Sequence, residues 1–87
     1  MKTYMKTIKM LSMTEENGIQ TPLKFQLKNK DGGCITVKVD NVILRNEEKL
    51  AGNKMIIYRC QSQINGVLKV FELKYAVSTC KWYLYKM

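Results

Sequence analysis

Arg59, Lys74, Lys81, Tyr83 and Tyr85 are the residues of this chain whose types combine into a recognisable chemistry. Phenol rings stack on unpaired bases while guanidinium and ammonium groups follow the phosphates, the recipe for single-stranded DNA or RNA. The same tyrosines beside Ile57, Leu68 and Val70 would also make an apolar patch for a protein partner or a second copy of the chain. Other chemistry is scarce. With no His there is no Ser-His-Asp or Cys-His pair, and no proton shuttle near neutral pH. Glu15-Glu16 and Glu47-Glu48 are adjacent acids, which do not face each other across a substrate. Asp31-Gly32-Gly33 lacks the following helix and the Lys-Ser/Thr of a phosphate loop. Cys34, Cys60 and Cys80 show neither close pairing nor zinc-ligand spacing, and are expected to be small buried hydrophobes in a reducing cytoplasm. No catalytic residue, metal site or cofactor is expected, and the chain reads as a non-catalytic binding module.

These side chains must be carried by strands. Leu23, Phe25 and Leu27 alternate with Lys24, Gln26 and Lys28, the period of a half-buried strand that Pro22 would open at a sheet edge. After Asn29–Gly33 the alternation resumes with Ile35, Val37 and Val39. Pairing Leu27 with Ile35, Phe25 with Val37 and Leu23 with Val39 puts six apolar chains on one face. Asn65-Gly66 between alternating runs is the strongest mark of a two-residue hairpin and fixes a register. Cys60 then faces Phe71, Tyr58 faces Leu73, and Ile56 faces Tyr75, while Arg59 meets Glu72 on the reverse side. A second reversal at Ser78-Thr79 brings Trp82 opposite Tyr75 and Leu84 opposite Leu73. The reverse face therefore gathers Arg59, Lys74, Lys81, Tyr83 and Tyr85.

Between these hairpins the parity of alternation shifts at Val42–Leu44, which predicts a bulge near Asp40-Asn41. Asn46–Asn53 reads as a capped helical turn, with Glu47-Glu48 solvated at its N-terminus. Residues 1–20 carry mixed signals: Tyr4, Ile8 and Leu11 share a helical face, whereas Thr3 and Thr7 favour extended chain. They are expected to form an extension (a strand, a short helix or a mobile tail) that packs over the tyrosine face or leaves it open.

At 87 residues with 46% hydrophobic content and a net charge of +8, the chain is sized for one domain with a small core. The charge raises the local concentration of anionic partners. No apolar stretch approaches the roughly 18 residues of a membrane span, and Lys6 and Lys9 interrupt any signal-peptide core. The expected architecture is all-β: a five-stranded antiparallel meander or small SH3-like barrel over residues 21–87. Its expected place is the cytoplasm, with no membrane contact. A protein partner or homo-oligomer is the favoured role, with nucleic acid the alternative.

Pro22-Leu23-Lys24-Phe25-Gln26, Val37–Val42, Tyr58-Arg59-Cys60-Gln61, Glu72–Tyr75 and Lys81–Leu84 resemble segments of a group of short, uncharacterised proteins of Firmicutes, some of them carried in mobile elements. That resemblance covers residues 21–87 and implies no activity and no functional residue.

Overall fold

The computed structural model describes residues 1–87 and is built only of strands and turns. Seven strands follow in chain order: β1 (Thr3–Thr14), β2 (Gln20–Lys28), β3 (Cys34–Lys38), β4 (Asn41–Leu50), β5 (Asn53–Ile64), β6 (Val67–Ala76) and β7 (Lys81–Lys86). They form one antiparallel sheet in the order β3-β2-β1-β7-β6-β5-β4, curled into a half-barrel. The sheet thus has seven strands rather than five, and both additions lie where the sequence pattern was weakest.

The first is β1. Thr3–Thr14 is neither tail nor overlying helix but the strand that links the two halves of the sheet. Thr3–Ile8 pairs with β7, Ile8 opposite Trp82, and Lys9–Thr14 pairs with β2, Met10 opposite Phe25. Changing partners midway requires a bend, and irregularities at Thr3/Lys6 and Leu11/Ser12 accompany it. Met5 there has a positive φ of 46°. These breaks hide the period of two. The second is β4. Asn46–Asn53 is not helical: Asn46–Leu50 continues the strand, and a tight turn follows with Ala51 at φ 50° and Gly52 at φ 84°. Two consecutive positive φ angles match the right-handed twist of a hairpin, so Glu47 and Glu48 lie on a strand.

The two strands at the ends of the sheet order, β3 and β4, are consecutive in the chain, joined by Val39 and Asp40 alone. Val39 N–H still donates to the Leu23 carbonyl at 2.8 Å, whereas Asp40 N–H donates to Ser62 Oγ at 3.0 Å. One residue belongs to the β2 side and the next to the β5 side. This corner, with a register shift between Val42 and Leu44, accounts for the change of parity; the expected bulge at Asp40-Asn41 is therefore displaced. Pro22 is also relocated, since β2 is flanked by β1 and β3 and is not an edge. The proline pairs with Ser12 at the register shift, where a missing N–H does no harm.

The concave face carries the core: Ile8, Phe25, Val37, Val39, Ile56, Tyr58, Cys60, Phe71, Leu73, Trp82 and Leu84. Phe25 of β2 meets Phe71 of β6 edge-to-face at 5.7 Å, so the curl brings opposite ends of the sheet into contact. Tyr58 fastens the same closure, its hydroxyl donating to the Gln20 carbonyl at 2.5 Å. Leu23 and Ile35, expected in the core, remain 38% and 46% exposed: Leu23 is the residue passed over at the β1–β2 register shift, and Ile35 lies next to the β2–β3 turn.

Candidate binding surfaces

Registers place the five expected site residues together on the convex face. Asn65 (φ 52°) and Gly66 (φ 76°) form the predicted turn. Ile64 pairs with Val67, Arg59 with Glu72 and Ile57 with Lys74. Lys74 in turn lies opposite Tyr83, and Ala76 opposite Lys81. Since Tyr58, Leu73 and Trp82 point inward, Arg59, Lys74, Lys81, Tyr83 and Tyr85 point outward by strand alternation. The first strand does not cover them. It lies beside β7 in the plane of the sheet, Thr7 opposite Tyr83, and both tyrosines stay half-buried.

Arg59 lies opposite Glu72 as the register predicted, but the sequence did not reveal the partner of Lys74. Lys74 Nζ sits 3.2 Å from Glu48 Oε2 and 3.9 Å from the centroid of the Tyr85 ring, with its side chain 11% exposed. Glu48 reaches it because β4 continues as a strand beside β5. Arg59 Nε lies 3.9 Å from Glu72 Oε2. Lys86 approaches the Tyr85 ring at 4.9 Å. Of the five residues, only Lys81 carries a charge with no carboxylate within ion-pair distance. Around these pairs Leu44, Leu68 and Val70 are exposed, and Ile57 is half-buried.

The other half of the convex face is different. Lys9, Lys24, Lys28 and Lys38 all project from β1, β2 and β3 on this side, and Lys24 lies directly opposite Lys38. None of these four is in an ion pair. Their signal was present in the Lys24-x-Gln26-x-Lys28 alternation, but without β1 there was no way to bring Lys9 beside it.

The cysteines divide. Cys60 is buried and its thiol is pushed up to about 12 by burial, so it is inert as a nucleophile near neutral pH. Cys34 and Cys80 are exposed, contrary to expectation: Cys34 opens β3 opposite Lys28 on the convex side, and Cys80 occupies the β6–β7 turn with φ 56°. The neighbouring Cys80 thiol is the main influence raising the pKa of the Tyr75 phenol, the Gln20 side chain opposes it, and burial adds to the rise.

No three His, Cys, Asp or Glu side chains come together in a way that could hold a metal ion. No helix is long and apolar enough to cross a membrane. Among family models, curated proteins and solved structures, no match to this chain is found.

Proposed function

We propose that this chain is a non-catalytic binding module that docks a protein partner, a second copy of itself included, on the convex face of β4–β7. The observation that carries the reading is the internal pairing of charge there. Glu48 holds Lys74 at 3.2 Å and Glu72 stands 3.9 Å from Arg59, so a phosphate backbone would meet two carboxylates on the face it binds. A protein surface would instead meet a nearly neutral patch of Leu44, Val70, Ile57 and Tyr85. Exposed apolar chains rimmed by satisfied polar groups are the anatomy of a docking surface. Half-buried tyrosines contribute area at small entropic cost.

Light scattering across a wide concentration range tests self-association directly. A mass that rises with concentration in the wild type, and stays monomeric in Val70→Asp, supports a second copy as the partner. If the wild type is strictly monomeric, a photo-crosslinking side chain at position 70 is compared with one at exposed position 49. Specific adducts from position 70 alone support a foreign protein, and equal labelling from both positions overturns the reading.

A further inference from the structure

The convex face of β1–β3 carries a cluster of charge that no carboxylate compensates. Four ammonium groups share it, and all four ion pairs of the protein are elsewhere, formed by Arg45, Lys54, Arg59 and Lys74. Every acid of residues 1–39 lies in a turn: Glu15 and Glu16 between β1 and β2, Asp31 between β2 and β3. Like charges directly opposite on neighbouring strands oppose pairing, yet Lys24 faces Lys38. A bound anion relieves that repulsion.

The surface is also shaped. Below Ile8 the pairing of β1 with β2 ceases, and the strands splay. Lys6 spans the opening and donates from Nζ to the Lys28 carbonyl at 2.7 Å. The resulting recess of about 390 Å³ is lined by Lys6, Thr7, Lys9, Gln26, Lys28 and Cys34. A second recess of about 260 Å³ adjoins it across Lys9 and Gln26, and is lined further by Lys24 and Thr36 and by the apolar Met10, Leu11 and Phe25. Ammonium groups interleaved with amide and hydroxyl donors suit a chain of phosphates and sugars. A flat bilayer surface could not enter either recess, and on the outer side of β1, where it pairs with β2, only Leu11 and Met13 are strongly exposed apolar residues that could insert into lipid. The half-buried ring of Tyr83 continues the same face, opposite Thr7 and two residues along from Lys9. It offers a base a stacking platform next to the cations.

We propose that the convex face of β1–β3 binds single-stranded nucleic acid, with Lys9, Lys24, Lys28 and Lys38 on the phosphates and Tyr83 stacking on a base. This surface borders the proposed protein-docking face at Tyr83 of β7, and its four lysines lie outside that face. Lys74, held by Glu48, takes no part.

The test is fluorescence anisotropy of a labelled oligo-dT with the full chain at several salt concentrations. Four phosphate contacts on a single strand predict a log–log salt slope near about −3, a weakening of about 50-fold between 50 and 200 mM salt. Lys24→Glu/Lys38→Glu should cut the slope by about half and weaken binding further through repulsion. Tyr83→Ala should weaken it about tenfold, whereas Lys74→Ala should leave it unchanged. The single variant Lys24→Glu separates binding from folding, because it places opposite charges on facing strands: the melting temperature should hold or rise while affinity falls. Three results overturn the proposal. One is no binding at low salt. Another is equal weakening by the exposed control pair Lys49→Glu/Lys69→Glu, which changes net charge by the same amount. The third is binding to phosphatidylserine vesicles, lost in Lys24→Glu/Lys38→Glu, without binding to oligo-dT; that assigns the face to a membrane.

Discussion

Replacing Tyr58 by Phe removes one oxygen atom from the interior and should loosen the closure of the half-barrel. The ring is 1% exposed and lies 5.3 Å from Trp82, so the packing of the phenyl group survives the change. The hydroxyl does two things: it donates to the Gln20 carbonyl at 2.5 Å and accepts from Arg45 Nε at 3.3 Å. A net hydrogen bond contributes about 1 kcal/mol, and more when a charged group takes part or when the remaining partner is left unsatisfied. Gln20 and Arg45 are each only half-buried, so water can replace part of what is lost. The expected cost is about 2 kcal/mol, a fall in melting temperature of about 10 °C for a domain of this size. Urea denaturation followed by the fluorescence of the single tryptophan measures it, since Trp82 stacks against both Tyr58 and Tyr75. A loss below about 0.5 kcal/mol would refute the assignment of this hydroxyl as the fastener between β5 and the start of β2. The oligo-dT salt slope should not change in the variant, because Tyr58 touches neither convex surface.

Stability should decline in alkali through Cys60. Its thiol ionises near 9.0 when unfolded and near about 12 when folded, so the contribution is complete below pH 9 and is lost as pH rises toward 12. The slope from this group approaches about 1.4 kcal/mol per pH unit, read as the difference in urea midpoint between wild type and Cys60→Ala from pH 8 upward; parallel profiles would remove the claim. Under native conditions Cys34 and Cys80 should react promptly with a thiol reagent, and Cys60 only after unfolding. Gly66→Ala should cost about 1 kcal/mol through backbone strain alone, because nothing lies within 4 Å of the added methyl group. Ala51→Gly should do the reverse and stabilise by roughly 0.5 kcal/mol, since Ala51 already holds a positive φ. Thermal melts check both.

The parts of the fold legible in the sequence are those where one strand serves one neighbour on each side and the turn has a chemical signature. Asn65-Gly66 set the β5–β6 register, and from it Tyr75–Trp82 and Leu73–Leu84 followed, as did the Phe25–Val37 pairing in the first hairpin. The outward set of Arg59, Lys74, Lys81, Tyr83 and Tyr85 came with that register. Illegible parts trace to competing signals. Asn46, Glu47 and Glu48 imitate the start of a helix, but on an edge strand Asn46 and Glu47 are exposed, Glu48 is half-buried, and the two carboxylates pair with Arg45, Lys54 and Lys74. In β1 only Ile8 is buried, so a central strand presents almost no apolar period. Glu15–Gly18 has the composition of a turn and forms one, Gly18 standing at φ 89° with its N–H donating to the Glu15 carbonyl. Reading it as a hairpin turn would have recovered β1 and, with it, the lysine stripe. The Arg59–Glu72 pair came with the register, but Lys74–Glu48 stayed hidden because those two residues come from strands that are not adjacent, with β5 between them.

The contacts of β1 with β7 join segments at opposite ends of the chain, Ile8 with Trp82 and Lys2 with Met87 through paired main-chain hydrogen bonds at 3.0 Å. Such a seam is a late event in time. Until residue 86 has left the ribosome β1 has no partner on that side, and the loop to be closed includes nearly every residue of the sheet, which slows the search for the native pairing. Until the seam closes, β1 lacks its partner on that side, and an unpaired strand edge of this kind is where a folding chain is most open to association with other chains.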